Sequence, residues 1–313
     1  MTKKGNSIMM STNHLGHFTR IRRRTIIVAA AMMASLASLG IASPVLAKSP
    51  TGDFAVFSQC PRFTTGVNYC IYSQVKSGEV TLNKQNVPIT KTITLQGGII
   101  RNEETEAETF VGALNGETLS KTPQKVPGGL LGLVKCNEIK NFLERIACEL
   151  VFENGVTGVN ATTELAKPAS EIGINKSNLV NEKGVALSLP VKIHLENPFL
   201  GSECYVGSSA HPIIWNLTTG ATNPPAPNKS ISGKVGDIEV KDEFEFVSIT
   251  NNTLVDNAYS APEATGCGGL FSFLIDPIID GKIGLPSTAG HNTTILNSTI
   301  DEATTEGVIN SEK

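Results

Sequence analysis

Apolar and polar residues alternate along much of the chain after residue 48, which is the pattern of β-strands that bury one face. The longest alternating run extends from Val185 to Glu196. Pro190 lies within it and has no N–H to donate, so the pattern predicts a strand that lies at a sheet edge or bulges at Pro190. Shorter strands rich in Thr, Val and Ile are predicted for residues 69–75, 79–83, 92–95, 155–165, 213–218, 237–240, 244–250 and 293–300.

Two segments have helical spacing instead. Apolar residues recur every three or four positions between Asn137 and Cys148, which predicts a helix there. A second helix is predicted for residues 271–283, although Pro277 lies inside it. Because strands and helices do not alternate regularly, the pattern favours an antiparallel β-sandwich or barrel-like domain with one or two short helices over a parallel α/β sheet.

The first 47 residues differ from the rest of the chain. They contain six Lys and Arg and no acidic residue, and an uncharged run from Thr25 to Leu46 ends in small residues at Ala47. This pattern predicts a signal peptide that is cleaved after Ala47 and directs the protein out of the cell. The alternative is an uncleaved anchor, since the run is just long enough to cross a bilayer core of about 30 Å. The predicted division is a signal peptide over 1–47, a β-rich domain over 48–300 and a flexible polar tail over 301–313.

Removal of the signal peptide changes the charge of the protein. The whole chain has 26 Lys and Arg against 29 Asp and Glu, and loss of the six basic residues leaves 20 against 29, a net charge of −9. The mature chain has no Lys/Arg cluster, one Trp and four Tyr. Nucleic acid, which requires phosphate-neutralising and stacking residues, is therefore excluded as a predicted partner, as are anionic membrane surfaces. We predict a secreted, extracellular protein with no membrane span after cleavage.

All six cysteines follow the signal peptide. An even number of cysteines in an exported chain favours disulfides over free thiols. A metal site would need closely spaced pairs, and the sequence contains no C-x-x-C motif. We predict no metal site and no cofactor. The cysteines are Cys60, Cys70, Cys136, Cys148, Cys204 and Cys267.

Three pairs are considered among the fifteen possible connectivities. Two extended segments on either side of a glycine could bring their ends within disulfide distance, which predicts the pair Cys60–Cys70. The pair Cys204–Cys267 would close a long loop. The third pair, Cys136–Cys148, conflicts with the predicted helix, because twelve helical residues would hold the two sulfurs about 18 Å apart. Either the helix ends near Glu144 or these two cysteines pair elsewhere.

Few residues carry a catalytic pattern. The chain lacks a nucleophile elbow, an H-E-x-x-H zinc motif, a P-loop, a dinucleotide fingerprint and an EF-hand loop. The best catalytic candidates are Ser208 or Ser209 as nucleophile and His211 as base, with Asp276 or Asp280 to orient the imidazole. The structural alternative is a turn at the serines and helix charge at the two aspartates. We predict no catalytic residue and keep a secreted hydrolase as the alternative.

Several turn-rich segments carry a family resemblance. They are Ile93–Gly98, Phe152–Gly155, Asn197–Ser202, Cys204-Tyr205, Asn216–Gly220, Asp256–Ala258 and Gly266–Gly269. Together they resemble a family of uncharacterised secreted actinobacterial proteins, over most of the mature chain. The resemblance implies a bacterial exterior and a shared fold, and it implies no activity. We predict a non-catalytic protein at or near the bacterial cell envelope, which binds or contributes to a cell-wall or surface component.

Overall fold

Two antiparallel β-sheets of seven strands each form the body of the protein. The structure is a computed structural model that describes residues 48–130, 140–148, 158–241 and 245–312. The predicted signal peptide lies outside these residues. The strands in chain order are β1 Tyr69–Leu82, β2 Gln85–Ile89, β3 Ile93–Arg101, β4 Glu108–Gly112, β5 Gln124–Val126, β6 Val159–Leu165, β7 Gly173–Ile174, β8 Leu187–Glu196, β9 Tyr205–Val206, β10 Ile213–Leu217, β11 Asp237–Lys241, β12 Phe246–Asp256, β13 Ala264–Thr265 and β14 Asn292–Thr304. The helices are α1 Phe142–Cys148, α2 Lys176–Asn181, α3 Ser272–Ile283 and α4 Thr305–Asn310.

The first sheet is built around its two longest strands. Its order is β11-β12-β14-β1-β3-β4, and β2 also pairs with one end of β1. Strands β1 and β14 run antiparallel from Tyr69 opposite Thr304 to Leu82 opposite Asn292. The last strand of the chain therefore lies in the interior of this sheet, beside the first.

The second sheet is built around β8. Its order is β13-β9-β8-β6-β5, and β7 and β10 also pair with β8. Buried residues of both sheets, such as Ile71 and Ile249 in the first and Val191 and Leu195 in the second, belong to one hydrophobic cluster. Two sheets that share one core confirm the predicted mainly β, sandwich-like fold.

Strand β8 confirms the clearest strand prediction. Of the two positions predicted from Pro190, an edge or a bulge, the edge is wrong, because β8 lies in the interior of its sheet. Pro190 opposes Ile214 of β10 on one side. On the other side, β6 ends opposite Val191 and β7 begins opposite Ser188, so Pro190 falls between two partner strands. Its carbonyl accepts a hydrogen bond from the Ala166 N–H. A proline is accommodated in this central strand because the ladder is interrupted where its N–H is missing.

Both predicted helices are present among the described residues, with different bounds. Helix α3 matches the prediction and includes Pro277. It ends at Gly284, whose left-handed backbone, with φ of +85°, lets its N–H donate to the Asp280 carbonyl. Helix α1 extends from Phe142 to Cys148. Residues 140–141 of the predicted helix are not helical, and residues 137–139 lie outside the described residues. No helix within the described ranges has the length and apolar character needed to cross a bilayer.

The end of the chain differs from the predicted flexible polar tail. Its first residues complete β14, and the next form α4. Val308 is fully buried in a second cluster with Phe54 and Phe246, and the Arg62 guanidinium forms an ion pair with the Glu312 carboxylate. Strand pairing with β1, the burial of Val308 and the ion pair of Glu312 together fix the position of a segment whose composition is mostly polar.

Two of the considered disulfides are present. Cys60 and Cys70 are linked, with their Cα atoms 5.5 Å apart. Cys204 and Cys267 are linked across 63 residues of sequence, with their Cα atoms 4.1 Å apart. Cys136 lies outside the described residues, so its pairing stays a prediction.

Candidate functional site

A cavity of about 830 Å³ lies between the two sheets. Its volume is within the range of about 300–1,000 Å³ found for small-molecule sites. Alkyl side chains from β1, β2 and β3, from β5, β6, β8 and β9, and from α3 form most of its wall. They are Val80, Leu82, Val87, Ile89, Ile93, Val126, Val159, Ala161, Ile193, Leu195, Val206, Ile279 and Ile283.

The alternating pattern of the strands explains this wall. Ile193 and Leu195 of β8 point inward, whereas His194 between them points outward. The facing strands β1 and β2 place Leu82 and Ile89 on the opposite side of the cavity. Elsewhere in the sandwich, the inward-facing side chains of such strands form a packed core. Here they line an open apolar space.

Gln124 is a polar residue of the cavity wall whose side-chain amide forms hydrogen bonds within the protein. Its side-chain oxygen accepts hydrogen bonds from the N–H groups of Thr90 and Lys91, at 2.9 and 3.0 Å, and its side-chain nitrogen donates to the Lys91 carbonyl at 2.8 Å. Gln124 thus holds the connection between β2 and β3 against β5. Its amide is engaged by the protein and is not a specific partner for a ligand.

A smaller apolar cavity of about 40 Å³ continues toward Trp215. The two cavities share Val80, Ile89, Ile93 and Thr163 in their walls. Trp215, the only tryptophan of the chain, is 3% exposed. Its fluorescence therefore reports on the apolar interior next to the large cavity.

At one part of the lining of the large cavity, the turn between β1 and β2 meets the end of α3. The Lys84 N–H donates to the Ile283 carbonyl at 2.9 Å, and the Asn83 side-chain nitrogen donates to the Gly284 carbonyl at 2.7 Å. The Lys84 ammonium donates to the Gly281 carbonyl at 3.4 Å. These bonds connect a turn of the first sheet to the helix that covers one side of the cavity.

The charged residues at this cavity are two lysines. Lys84 and Lys282 are exposed and line it, and none of the described lining residues is acidic. Cations are favourable beside the C-terminal end of a helix, which carries a partial negative charge. The described lining therefore combines alkyl side chains with two lysines.

The predicted nucleophile and base lie in a turn between β9 and β10. The Ser208 hydroxyl oxygen accepts a hydrogen bond from the His211 backbone N–H at 3.0 Å, and the Ser208 N–H donates to the His211 carbonyl at 3.0 Å. Ser209 is exposed. Ser208 and His211 line a cleft of about 330 Å³ together with Glu263. The hydroxyl oxygen thus contacts the histidine backbone, as expected for a turn.

The two predicted aspartates stabilise a loop. The Asp276 carboxylate accepts hydrogen bonds from the N–H groups of Gly266 and Cys267, at 3.2 and 2.8 Å. The Asp280 carboxylate accepts one from the Ala264 N–H at 2.8 Å. Burial raises the pKa of Asp280, and this backbone hydrogen bond opposes the shift. Both side chains hold β13 and the disulfide of Cys267 against α3.

A polar cluster that we did not predict lies on the outward face of the second sheet. The His194 imidazole stacks on the Tyr205 ring, with centroids 4.5 Å apart, and its Nδ1 lies 3.6 Å from the Glu196 carboxylate and 3.8 Å from that of Glu164. The Lys192 ammonium lies 3.9 Å from the Tyr205 ring centroid. Desolvation, followed by the nearby carboxylates, raises the pKa of Tyr205. No group of three potential metal ligands occurs within the described ranges.

Asp256 is a buried carboxyl group at the end of β12. It accepts hydrogen bonds from the Asn216 N–H at 2.6 Å and the Ala258 N–H at 2.9 Å. Burial raises the pKa of this carboxyl, and the two backbone hydrogen bonds oppose the shift. Asp256 thereby links the first sheet to β10 of the second.

The polar candidate residues make contacts within the fold, so the large cavity is the main indication of function. No protein-family model, curated protein sequence or solved structure matches the chain.

Proposed function

We propose that this chain is an exported, non-catalytic binding protein of the bacterial cell envelope that holds an apolar small molecule between its two sheets. The observation that carries the proposal is the cavity of about 830 Å³ lined by alkyl side chains. The two described disulfides are compatible with an extracellular location. Export is supported by the charge and apolar pattern of residues 1–47.

The chemistry of the wall indicates the class of ligand. Val, Ile and Leu side chains provide dispersion contacts and remove apolar surface from water. Thr163 also lines the wall, and the amide of Gln124 is bonded to the protein. A ligand with a flexible hydrocarbon chain matches such a surface. Each buried methylene group contributes about 0.8 kcal/mol, which corresponds to about a fourfold change in affinity.

The hydrolase alternative has less support. The Ser208 hydroxyl oxygen accepts a hydrogen bond from the backbone of His211, and both Asp276 and Asp280 bind backbone N–H groups of the loop around Cys267. Labelling of Ser208 or Ser209 by a serine-directed activity probe would contradict a non-catalytic protein.

Calorimetric titration of the exported, disulfide-bonded protein with linear fatty alcohols tests the proposal. We expect the affinity to rise about fourfold for each added methylene group from octanol upward, until the cavity is filled. The fluorescence of Trp215 follows the same titration independently. Failure of every chain length to bind would refute the proposed function.

A variant that fills the cavity provides the matched control. Ala161 is buried and lines the cavity, so Ala161→Phe places a ring in the space that the ligand would occupy. We expect this variant to lose binding while its urea unfolding remains cooperative. Val126→Phe is a second variant at another point of the wall, and Ile238→Phe, at a half-exposed position on β11, is the control that keeps binding. Unchanged affinity in both folded cavity variants would contradict the proposal.

A further inference from the structure

We propose that two copies of this chain associate as a symmetric dimer through the outward face of α3. This inference goes beyond the proposed function, because it concerns a second surface and does not require that a ligand binds. The surface, which we call the α3 stripe, lies on α3 and on the short 3-10 turn Gly269–Phe271 that precedes it. Its residues are Leu270, Phe271, Phe273, Leu274, Pro277 and Ile278, all of them exposed.

The α3 stripe has the wrong composition for a face that meets water. A helix on the surface of a protein normally has apolar residues toward the core and polar residues outward. The inward face of α3 follows this rule, because Ile279 is buried in the main hydrophobic cluster. The outward face is apolar as well, with Leu270 93% exposed and Phe273 71% exposed. A helix that is apolar on both faces is expected to be covered on both.

The carboxylates of α3 are directed away from the stripe. Asp276 and Asp280 accept hydrogen bonds from backbone N–H groups of the loop around Cys267. Contact between two stripes would therefore leave these carboxylates at their loops. Such a contact avoids the cost of removing a charged group from water.

The exposed apolar area is large enough for a specific dimer. The large side chains of the stripe and Phe199 are 55–93% exposed, which amounts to about 700 Å² per copy at about 175 Å² for each such side chain. Phe199 adjoins the stripe, because the next residue, Leu200, accepts a hydrogen bond from the Gly268 N–H at 2.7 Å. The largest apolar patch of a typical monomer is about 300–600 Å². Two copies would bury about 1,400 Å², within the range of about 1,200–2,000 Å² for specific interfaces.

The order of large and small residues along the stripe is complementary to itself. Gly281 lies on the same face, three positions after Ile278, and a side chain there would point into open space. Two antiparallel α3 helices centred between Leu274 and Pro277 would place the protruding Leu270 of each copy opposite Gly281 of the other. The same register pairs Phe273 with Ile278. A twofold axis makes each of these contacts twice.

Other occupants of the stripe fit less well. Helices that lie in a membrane surface carry Lys and Arg on their polar side. On α3 that side carries Asp276 and Asp280, and the mature chain is acidic, with 20 Lys and Arg against 29 Asp and Glu. Within the described residues, α1 does not cover the stripe either, since its own Phe142 and Leu143 are exposed. A second copy offers a surface that is equally apolar and uncharged.

Sedimentation equilibrium of the exported, disulfide-bonded protein tests the dimer. We expect twice the monomer mass at about 10 µM. Leu274→Glu places a carboxylate at the centre of the contact in both copies, so the dissociation constant should rise at least about a hundredfold. Ile278→Glu is a second variant with the same expected result. Leu114→Glu is the matched control, because Leu114 is 60% exposed, lies outside α3 and should leave the dimer intact. Cooperative urea unfolding shows that each variant is folded.

Flotation with phosphatidylcholine vesicles separates the dimer from a membrane surface. A protein that is monomeric at about 100 µM would overturn the proposal, whether or not it floats with the vesicles. Flotation of such a monomer that is lost in Leu274→Glu would assign the stripe to a membrane instead. A dimer that persists in both folded glutamate variants would overturn the assignment of the interface to α3.

Discussion

The two described disulfides close loops of very different length, which makes their separate removal an informative test. Cys60 and Cys70 are separated by 10 residues, and Cys204 and Cys267 by 63. In the chain-entropy model, the stabilisation grows with the logarithm of loop length and amounts to about 2.7 kcal/mol for the short loop and about 4.3 kcal/mol for the long one. All four cysteines are at most 2% exposed, so replacement by alanine leaves comparable small voids at both sites.

Equilibrium urea unfolding measures the two losses. We expect Cys204→Ala/Cys267→Ala to lose about 1.6 kcal/mol more unfolding free energy than Cys60→Ala/Cys70→Ala, because it frees the longer loop of the unfolded chain. The slope of unfolding against urea must stay comparable between the variants for the difference to be valid. An equal or larger loss for the short loop would refute the entropic reasoning and assign the stabilisation to the native state.

Two further predictions concern export and pH. Mass spectrometry of the culture medium should find a mature N-terminus at Lys48, whereas recovery of the full-length chain from membranes alone would contradict cleavage. Burial raises the pKa of Asp256, so the native state holds this proton more tightly than the unfolded chain, and the stability that depends on Asp256 is greatest in acid and falls as pH rises above about 4. Asp256→Asn should lack this component, and an identical pH dependence of unfolding in the variant and the original protein would contradict the assignment.

Local patterns predicted much of the fold, and long-range packing accounts for the differences. The alternation from Val185 to Glu196 predicted β8, but its place in the sheet depends on where β6 ends and β7 begins, which no local pattern contains. Short strands such as β5 contain too few residues to show a period. Val308 is one apolar residue in a polar segment, and its burial depends on Phe54 and Phe246 far along the chain.

The candidate site was less predictable than the fold. Ile193 and Leu195 were predicted to face the interior, and they do, but whether facing side chains meet or remain apart depends on the separation of the two sheets. Lys84 is a lysine in a turn, and its sequence neighbours do not distinguish it from any other surface lysine. Ser208 and His211 are close in the structure, as their spacing indicated, but the contact is made by the backbone of the histidine.

The interior position of β14 determines when the first sheet can be completed during synthesis. Strands β1 and β12 both pair with this last strand, so the first sheet cannot be completed until residues 292–304 have left the ribosome. A nascent chain therefore lacks a central strand of this sheet until its synthesis is nearly complete. For the exported protein that we propose, the first sheet would be completed only after nearly the whole chain has crossed the membrane.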